Sequence, residues 1–367
     1  MMRKVAGPLM ALVSLGLCLL VFEIGLRVVG FDPFGELLTG RELILKESSH
    51  PRLPYELTPG ADAHAWGTHV SVNSAGFRDD DYPEQKGDRY RVIVIGDSIT
   101  FGNVLREDQR FTEMLEASLA EKHPDAGVDV LNLGVGGYDT VMEVASLEQI
   151  GLRYDPDLVI VAFCVNDVSD NSPNALYIRS LRAIQSPAYR LRTLQLARKV
   201  FDRIRLRLDH MARNADSAAR GYNSEYMDSQ ANNHVLDEVE SFAQSQIDPN
   251  ASEPLVWYRS RARLSKLAFA FDWLDKLAQE NGFDVLVTIV PYLESNPAFL
   301  PAYDVIEKLA ERENLSVLRV GKKFTENDPE KLRIRNEDRI HPNDAGHRII
   351  ADSLTLEVIA SAERRKK

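Results

Sequence analysis

A serine at the end of a buried strand is a candidate nucleophile, and the stretch Arg91-Val92-Ile93-Val94-Ile95-Gly96-Asp97-Ser98 places one there. Val92–Ile95 is a short apolar, β-branched run, the pattern of a strand covered on both faces in a parallel sheet. Gly96 ends the run. Ser98 then falls on the carboxyl edge, where open α/β sheets hold their ligands. Gly-Asp-Ser is also ordinary turn chemistry, so the reading depends on partners. A serine hydroxyl needs a base to take its proton. Of the eight histidines, His341 stands out because it follows the last predicted strand, on the same edge as Ser98, with Asp338 three residues before it. In a turn that spacing brings a carboxylate to the imidazole Nδ1–H, which fixes the tautomer and stabilises the imidazolium. His347 reads as a packing residue on a helix face. Two further strand ends offer donors to a developing oxyanion. The loop Leu131–Thr140 contains Gly134, Gly136 and Gly137, and glycine lets a backbone N–H approach a ligand closely. Asn166, after the third strand, has a side-chain amide. Taken singly, the glycines also suit a tight turn and Asn166 a capped loop.

A sheet must bring these residues together, and the hydropathy pattern predicts one. Strands at Val92–Ile95, Val128–Leu133, Leu158–Phe163, Val285–Ile289 and Ser316–Val320 alternate with helices at about Arg110–Lys122, Thr140–Leu152, Ser260–Glu280 and Ala302–Arg312. A last helix runs from Pro342 to about Ala362. Such alternation implies right-handed crossovers and a parallel sheet. The expected class is α/β, a three-layer α/β/α flavodoxin-like domain over 89–360 with five parallel strands. Residues 175–255 interrupt it and read as a helical insertion. Within them, apolar residues at 191, 194, 197, 201, 204 and 208 form a helical stripe, and 211–255 reads as polar and loop-rich. Residues 32–88 read as a stalk ending in an edge hairpin within Thr68–Arg78. Asp79-Asp80-Asp81 reads as a solvated loop.

With 44% hydrophobic and 27% charged residues among 367, the chain can bury a sizeable core in one or two domains. A net charge of −11 argues against nucleic-acid binding. Cys18 and Cys164 are far apart and form neither metal spacing nor a disulfide framework. Arg3 and Lys4 precede an apolar stretch from Val5 to Phe22 that continues to Phe31, long enough for the ~20 residues of a membrane span. Glu23 and Arg27 form an i,i+4 pair near its far end. With no small-x-small cleavage site, residues 1–31 read as an uncleaved signal anchor; a cleaved signal peptide is the other reading. Both place the remainder outside, by the positive-inside rule. Between Arg179 and Arg220 there are eleven Arg or Lys against three Asp, a local +8. That segment suits a solvated helix face, a helix on anionic lipid, or a lid for an acidic substrate.

Four blocks in order, Gly96-Asp97-Ser98, the glycine loop with Gly137, Asn166-Asp167 and Asp338-x-x-His341, together resemble the signature blocks of the SGNH, or GDSL, hydrolases. The resemblance covers roughly residues 90–170 and 280–355. Two positions depart from the family pattern: Ile99 stands where leucine is often written, and Cys164 where glycine is usual. The resemblance implies Ser98 as nucleophile, His341 as general base and Asp338 as its orienting group. It gives the backbone N–H groups of Ser98 and Gly137 and the side chain of Asn166 as the oxyanion hole. No metal or organic cofactor is implied. The expectation is a serine esterase or deacetylase tethered outside a bacterial cytoplasmic membrane by its N-terminal helix. It would act on an ester-bearing glycan or lipid through an acyl-Ser98 intermediate. The alternatives are an O-acetyltransferase working with envelope polysaccharide machinery and an inactive glycan-binding module.

Overall fold

The computed structural model describes residues 3–31, 40–124, 127–169, 191–197, 200–201, 233–294 and 297–365, without the side chains of 3–9, 12, 41–42 and 233–235. The chain forms two compact units, residues 1–42 with 175–222 and residues 43–174 with 223–367.

In the first unit, α1 (Arg3–Val28) is a helix of 26 residues. Its apolar side chains from Met10 to Ile24 are exposed where described, whereas Glu23 is buried. Among the described residues no helix is long and apolar enough to cross a membrane. Of the helical stripe expected over 190–208, residues 192–197 are helical, as are 200 and 201. The rest of that stripe, and most of the basic segment around it, lies outside the described residues.

One helical turn, α2 (Arg41–Ile44), covers the boundary at residue 42, and the second unit then forms two antiparallel pairs. β1 (Leu45–Glu47) pairs with β2 (Tyr55–Leu57), and β3 (Asp62–Ala65) with β4 (Thr68–Ser71). The expected hairpin strand at Thr68 exists, but its partner lies upstream. Trp66 and Gly67 both take positive φ, 51° and 80°, which suits the tight two-residue turns whose twist matches that of the strands. The main sheet is built from β5 (Tyr90–Gly96), α3 (Ser98–Phe101), α4 (Phe111–Lys122), β6 (Val128–Asn132), α5 (Thr140–Gln149) and β7 (Leu158–Phe163). α6 (Asn233–Gln246) lies within the insertion, and after it come α7 (Arg261–Asn281), β8 (Asp284–Ile289), α8 (Leu300–Arg312), β9 (Ser316–Arg319), α9 (Gly321–Glu326) and α10 (Asp344–Arg365). The strand order is β6-β5-β7-β8-β9, all parallel.

Every residue of β5, β6 and β7 is buried, so helices cover both faces, as their unbroken apolar runs require. From β5 the chain turns one way to β6 and then crosses back to β7 on the other side. The switch point of the winding therefore lies between β5 and β7, whose ends are level, with Gly96 opposite Ala162.

Two expectations are corrected. Of the stretch 211–255 expected to be loop-rich, 211–232 lie outside the described residues and 233–255 are not loop-rich. They hold α6 and run into a 3₁₀ turn over Leu255–Arg259, because Leu236, Val239, Ala243 and Ile247 recur at helical spacing and are all buried. The three acids at 79–81 are not all solvated: Asp80 and Asp81 are exposed, but Asp79 is buried and accepts the Asn132 N–H at 2.7 Å.

Candidate active site

β5 ends at Gly96, and Ser98 opens the short helix α3, with Asp97 as its N-cap accepting the Ile99 N–H at 2.9 Å. The other end of α3 is clamped by Arg78. Its buried guanidinium donates to the carbonyls of Phe101 at 2.8 Å, Gly102 at 2.7 Å, Leu105 at 2.8 Å and His69 at 3.2 Å. Asn132 ties the glycine loop to the same helix. Its amide donates to the Thr100 carbonyl at 2.8 Å, and its Oδ1 accepts the Gly134 N–H at 2.9 Å. The loop packs so closely on α3 that a Cβ on Gly134 would lie 2.4 Å from the Phe101 nitrogen. Ser98 is thus gripped at both ends of one helical turn.

His341 and Asp338 arrive from the segment between α9 and α10. The Asp338 carboxylate accepts three N–H groups of its own loop through Oδ1 and Oδ2. These are Ile340 N at 3.0 Å and His341 N at 2.9 Å on Oδ1, and His341 Nδ1 at 2.8 Å on Oδ2. The far ring nitrogen, Nε2, lies 2.8 Å from Ser98 Oγ. Burial pushes the Asp338 carboxyl up, but the hydrogen bonds from the His341 ring and backbone outweigh it and hold the pKa at about 2. Burial works against the imidazolium, yet the Asp338 hydrogen bond and charge raise His341 above its ordinary value. An ionised Asp338 therefore holds the proton on Nδ1 and leaves Nε2 with a lone pair facing the serine. That arrangement can deprotonate a hydroxyl and stabilise the imidazolium that results.

Asn166 follows β7, across the switch point from Ser98. Its Nδ2 donates to Asp97 Oδ2 at 3.0 Å, and Ser98 Oγ lies 3.1 Å from the same oxygen. The glycine loop lies against the serine, since a Cβ on Gly136 would be 3.9 Å from Ser98 Cβ. Gly137 takes φ +86°, and a Cβ there would meet the Tyr55 hydroxyl at 2.8 Å. That hydroxyl donates to the Gly136 carbonyl at 2.7 Å, and Tyr138 donates to the Tyr55 carbonyl. Cys164, where the family pattern has glycine, is buried. Its N–H donates to Asp167 Oδ2 at 2.6 Å within the turn that presents Asn166.

The sequence reading gave no role to several residues that hold this site. Asp97 connects Ser98 with Asn166. Tyr55, from the segment read as stalk, braces the glycine loop. Asp139, the N-cap of α5, pairs with Lys266 at 2.7 Å, and Glu143 and Asp167 are buried nearby. Burial, reinforced by the neighbouring carboxylates, pushes Glu143 and Asp167 well above the usual carboxylate range. An N-cap pattern at Asp139-Thr140 was the available sequence signal for the first of these. His347 is a packing residue: its Nδ1 accepts the Phe111 N–H at 3.1 Å, and burial drives its pKa down to about 3.

Residues 94–349 match the GDSL-like Lipase/Acylhydrolase family, and the chain belongs to that family. It is a serine ester hydrolase. The chain is similar to LAE5, an alpha/beta hydrolase from the metagenome of Lake Arreo, Spain, at 16% identity and a TM-score of 0.42, over 76% of this chain and 97% of the other. It is similar to the acetyl xylan esterase AlAXEase at 18% identity and 0.41, over 73% and 99%. It is similar also to Axe2, an acetylxylan esterase from Geobacillus stearothermophilus, at 18% identity and 0.39, over 74% and 95%. No curated protein matches the sequence.

Proposed function

We propose that this protein is an extracytoplasmic esterase that removes acyl groups from a glycan or a lipid ester through an acyl-Ser98 intermediate. The observation behind it is the unbroken chain from Asp338 Oδ2 through His341 to Ser98 Oγ, with both links at 2.8 Å. In this reading His341 takes the Ser98 proton as Oγ attacks the ester carbonyl and returns it to the departing alcohol. A water deprotonated by the same imidazole then releases the acid. The N–H groups of Ser98 and Gly137 and the Asn166 amide receive the oxyanion formed in each half-reaction, each donor being worth ~3 kcal/mol of barrier. The exposed apolar surface of α1 supports tethering at a membrane.

The test is acetate release from an O-acetylated glycan and from p-nitrophenyl acetate, comparing wild type with Ser98→Ala. Release that disappears in Ser98→Ala supports the reading. Acetyl groups appearing on added glycan hydroxyls instead of in solution would make the protein an O-acetyltransferase. Unchanged turnover in Ser98→Ala would remove Ser98 from the mechanism.

A further inference from the structure

Glu23 is the only polar side chain on the apolar run of α1 from Met10 to Ile24 apart from Ser14, and it is buried. Its carboxylate is fully engaged. Oε1 accepts Arg27 Nε at 2.8 Å and Arg192 N at 3.0 Å, and Oε2 accepts Thr193 N and Thr193 Oγ1, both at 2.8 Å. Arg192 and Thr193 begin the helical residues 192–197. Their N–H groups are among those a helix start cannot satisfy internally. Glu23 therefore caps this second helix from a distance and fixes it beside one level of α1.

That level can be placed. At 1.5 Å per residue, Glu23 lies about 30 Å along α1 from Arg3, the thickness of a bilayer's hydrocarbon core. Taken as the anchor that the full sequence predicts, with Arg3 and Lys4 at one interface, α1 puts Glu23 and Arg27 at the other. The capped segment would then lie at headgroup depth. Its surface suits that depth. Leu191, Leu194, Val200 and Phe201 are 41–55% exposed. The surrounding sequence from Arg179 to Arg220 has a net +8. An apolar stripe within strongly basic sequence is the composition of helices that lie flat on anionic lipid.

We infer that residues 191–197 and 200–201 form a second membrane contact, seated on an anionic lipid surface and pinned to α1 by Glu23. This rests on the membrane reading of α1 and goes beyond it. The chain would then be held at the bilayer by two elements.

The test uses the full chain in vesicles, with Cys18→Ser so that a fluorophore can be placed on Phe201→Cys, or on Lys322→Cys as an exposed control; Cys164 is buried. Brominated acyl chains should quench the probe at 201 on the order of twofold in vesicles with about a third phosphatidylglycerol, and much less in phosphatidylcholine alone. The control should be unquenched, and Glu23→Gln should weaken quenching at 201. A probe at 201 no more quenched than the control, in chain that resists carbonate extraction, overturns the interfacial segment and leaves the span standing. Quenching at 201 in chain that carbonate releases supports the segment and overturns the span. Equal quenching in both lipid compositions overturns the anionic surface as its partner.

Discussion

Replacing Asp338 with asparagine changes one atom and should disable the base. The geometry dictates how the new amide sits. Oδ1 of Asp338 accepts two backbone N–H groups, from Ile340 and His341, at 3.0 and 2.9 Å. Only a carbonyl oxygen can accept them, so Asp338→Asn keeps its oxygen there and turns its NH2 toward His341 Nδ1. The ring must then present a lone pair on Nδ1 and place its proton on Nε2, facing Ser98 Oγ. Nothing is left to take the hydroxyl proton. A wrong tautomer of this kind costs about 10⁴ in kcat, near 5 kcal/mol of barrier. Stability should fall far less, by about 1–2 kcal/mol, because both loop N–H groups keep an acceptor. The assays are kcat and KM on p-nitrophenyl acetate together with thermal melting. A loss in kcat below about tenfold, with the fold intact, would refute the tautomer argument.

Three other outcomes follow from the geometry. Gly137→Ala places a methyl 2.8 Å from the Tyr55 hydroxyl at φ +86°; kcat should drop about 10²-fold, and adding Tyr55→Phe should recover part of it, leaving the backbone strain of roughly 1–2 kcal/mol. If the double variant is no better than the single one, the steric account fails. Asn166→Ala should cost about 10²–10³ in kcat with little change in KM; an effect confined to KM would make Asn166 a binding residue. The acid limb of kcat/KM should have its midpoint above 6.5, since His341 must be neutral to act and its pKa is raised from that value. The stability signs are opposite for the two partners. His341 contributes fully below 6.5 and loses its contribution as pH rises through its raised pKa, whereas Asp338 contributes above 3.8 and loses it as pH falls through about 2. Thermal melts in which this pair contributes least between 3.8 and 6.5 would contradict the linkage.

Much of the scaffold was readable because it is written in periodic signals. Val92–Ile95 and Leu158–Phe163 are uninterrupted apolar runs, and both are buried strands with their expected helices between. The pair Asp338 and His341 is local in sequence, so its contact could be anticipated from spacing. What was missed is held by long-range contacts. Tyr55 reaches Gly136 across 81 residues, and Asn166 reaches Asp97 across 69; no periodicity announces either. α6 was overlooked because polar residues crowd its window, although Leu236, Val239, Ala243 and Ile247 mark its buried face. Asp79 looked like one of three solvated acids, and only the fold shows which of them meets the Asn132 N–H.

The central claim is that Ser98 is activated by His341, and covalent trapping tests it most directly. Full-length protein is treated with a fluorophosphonate, digested, and the modified peptide sequenced by mass spectrometry. The account predicts one adduct, on Ser98, formed at a rate that collapses in His341→Ala. An adduct on another serine, or labelling of Ser98 that is unaffected by His341→Ala, would contradict it.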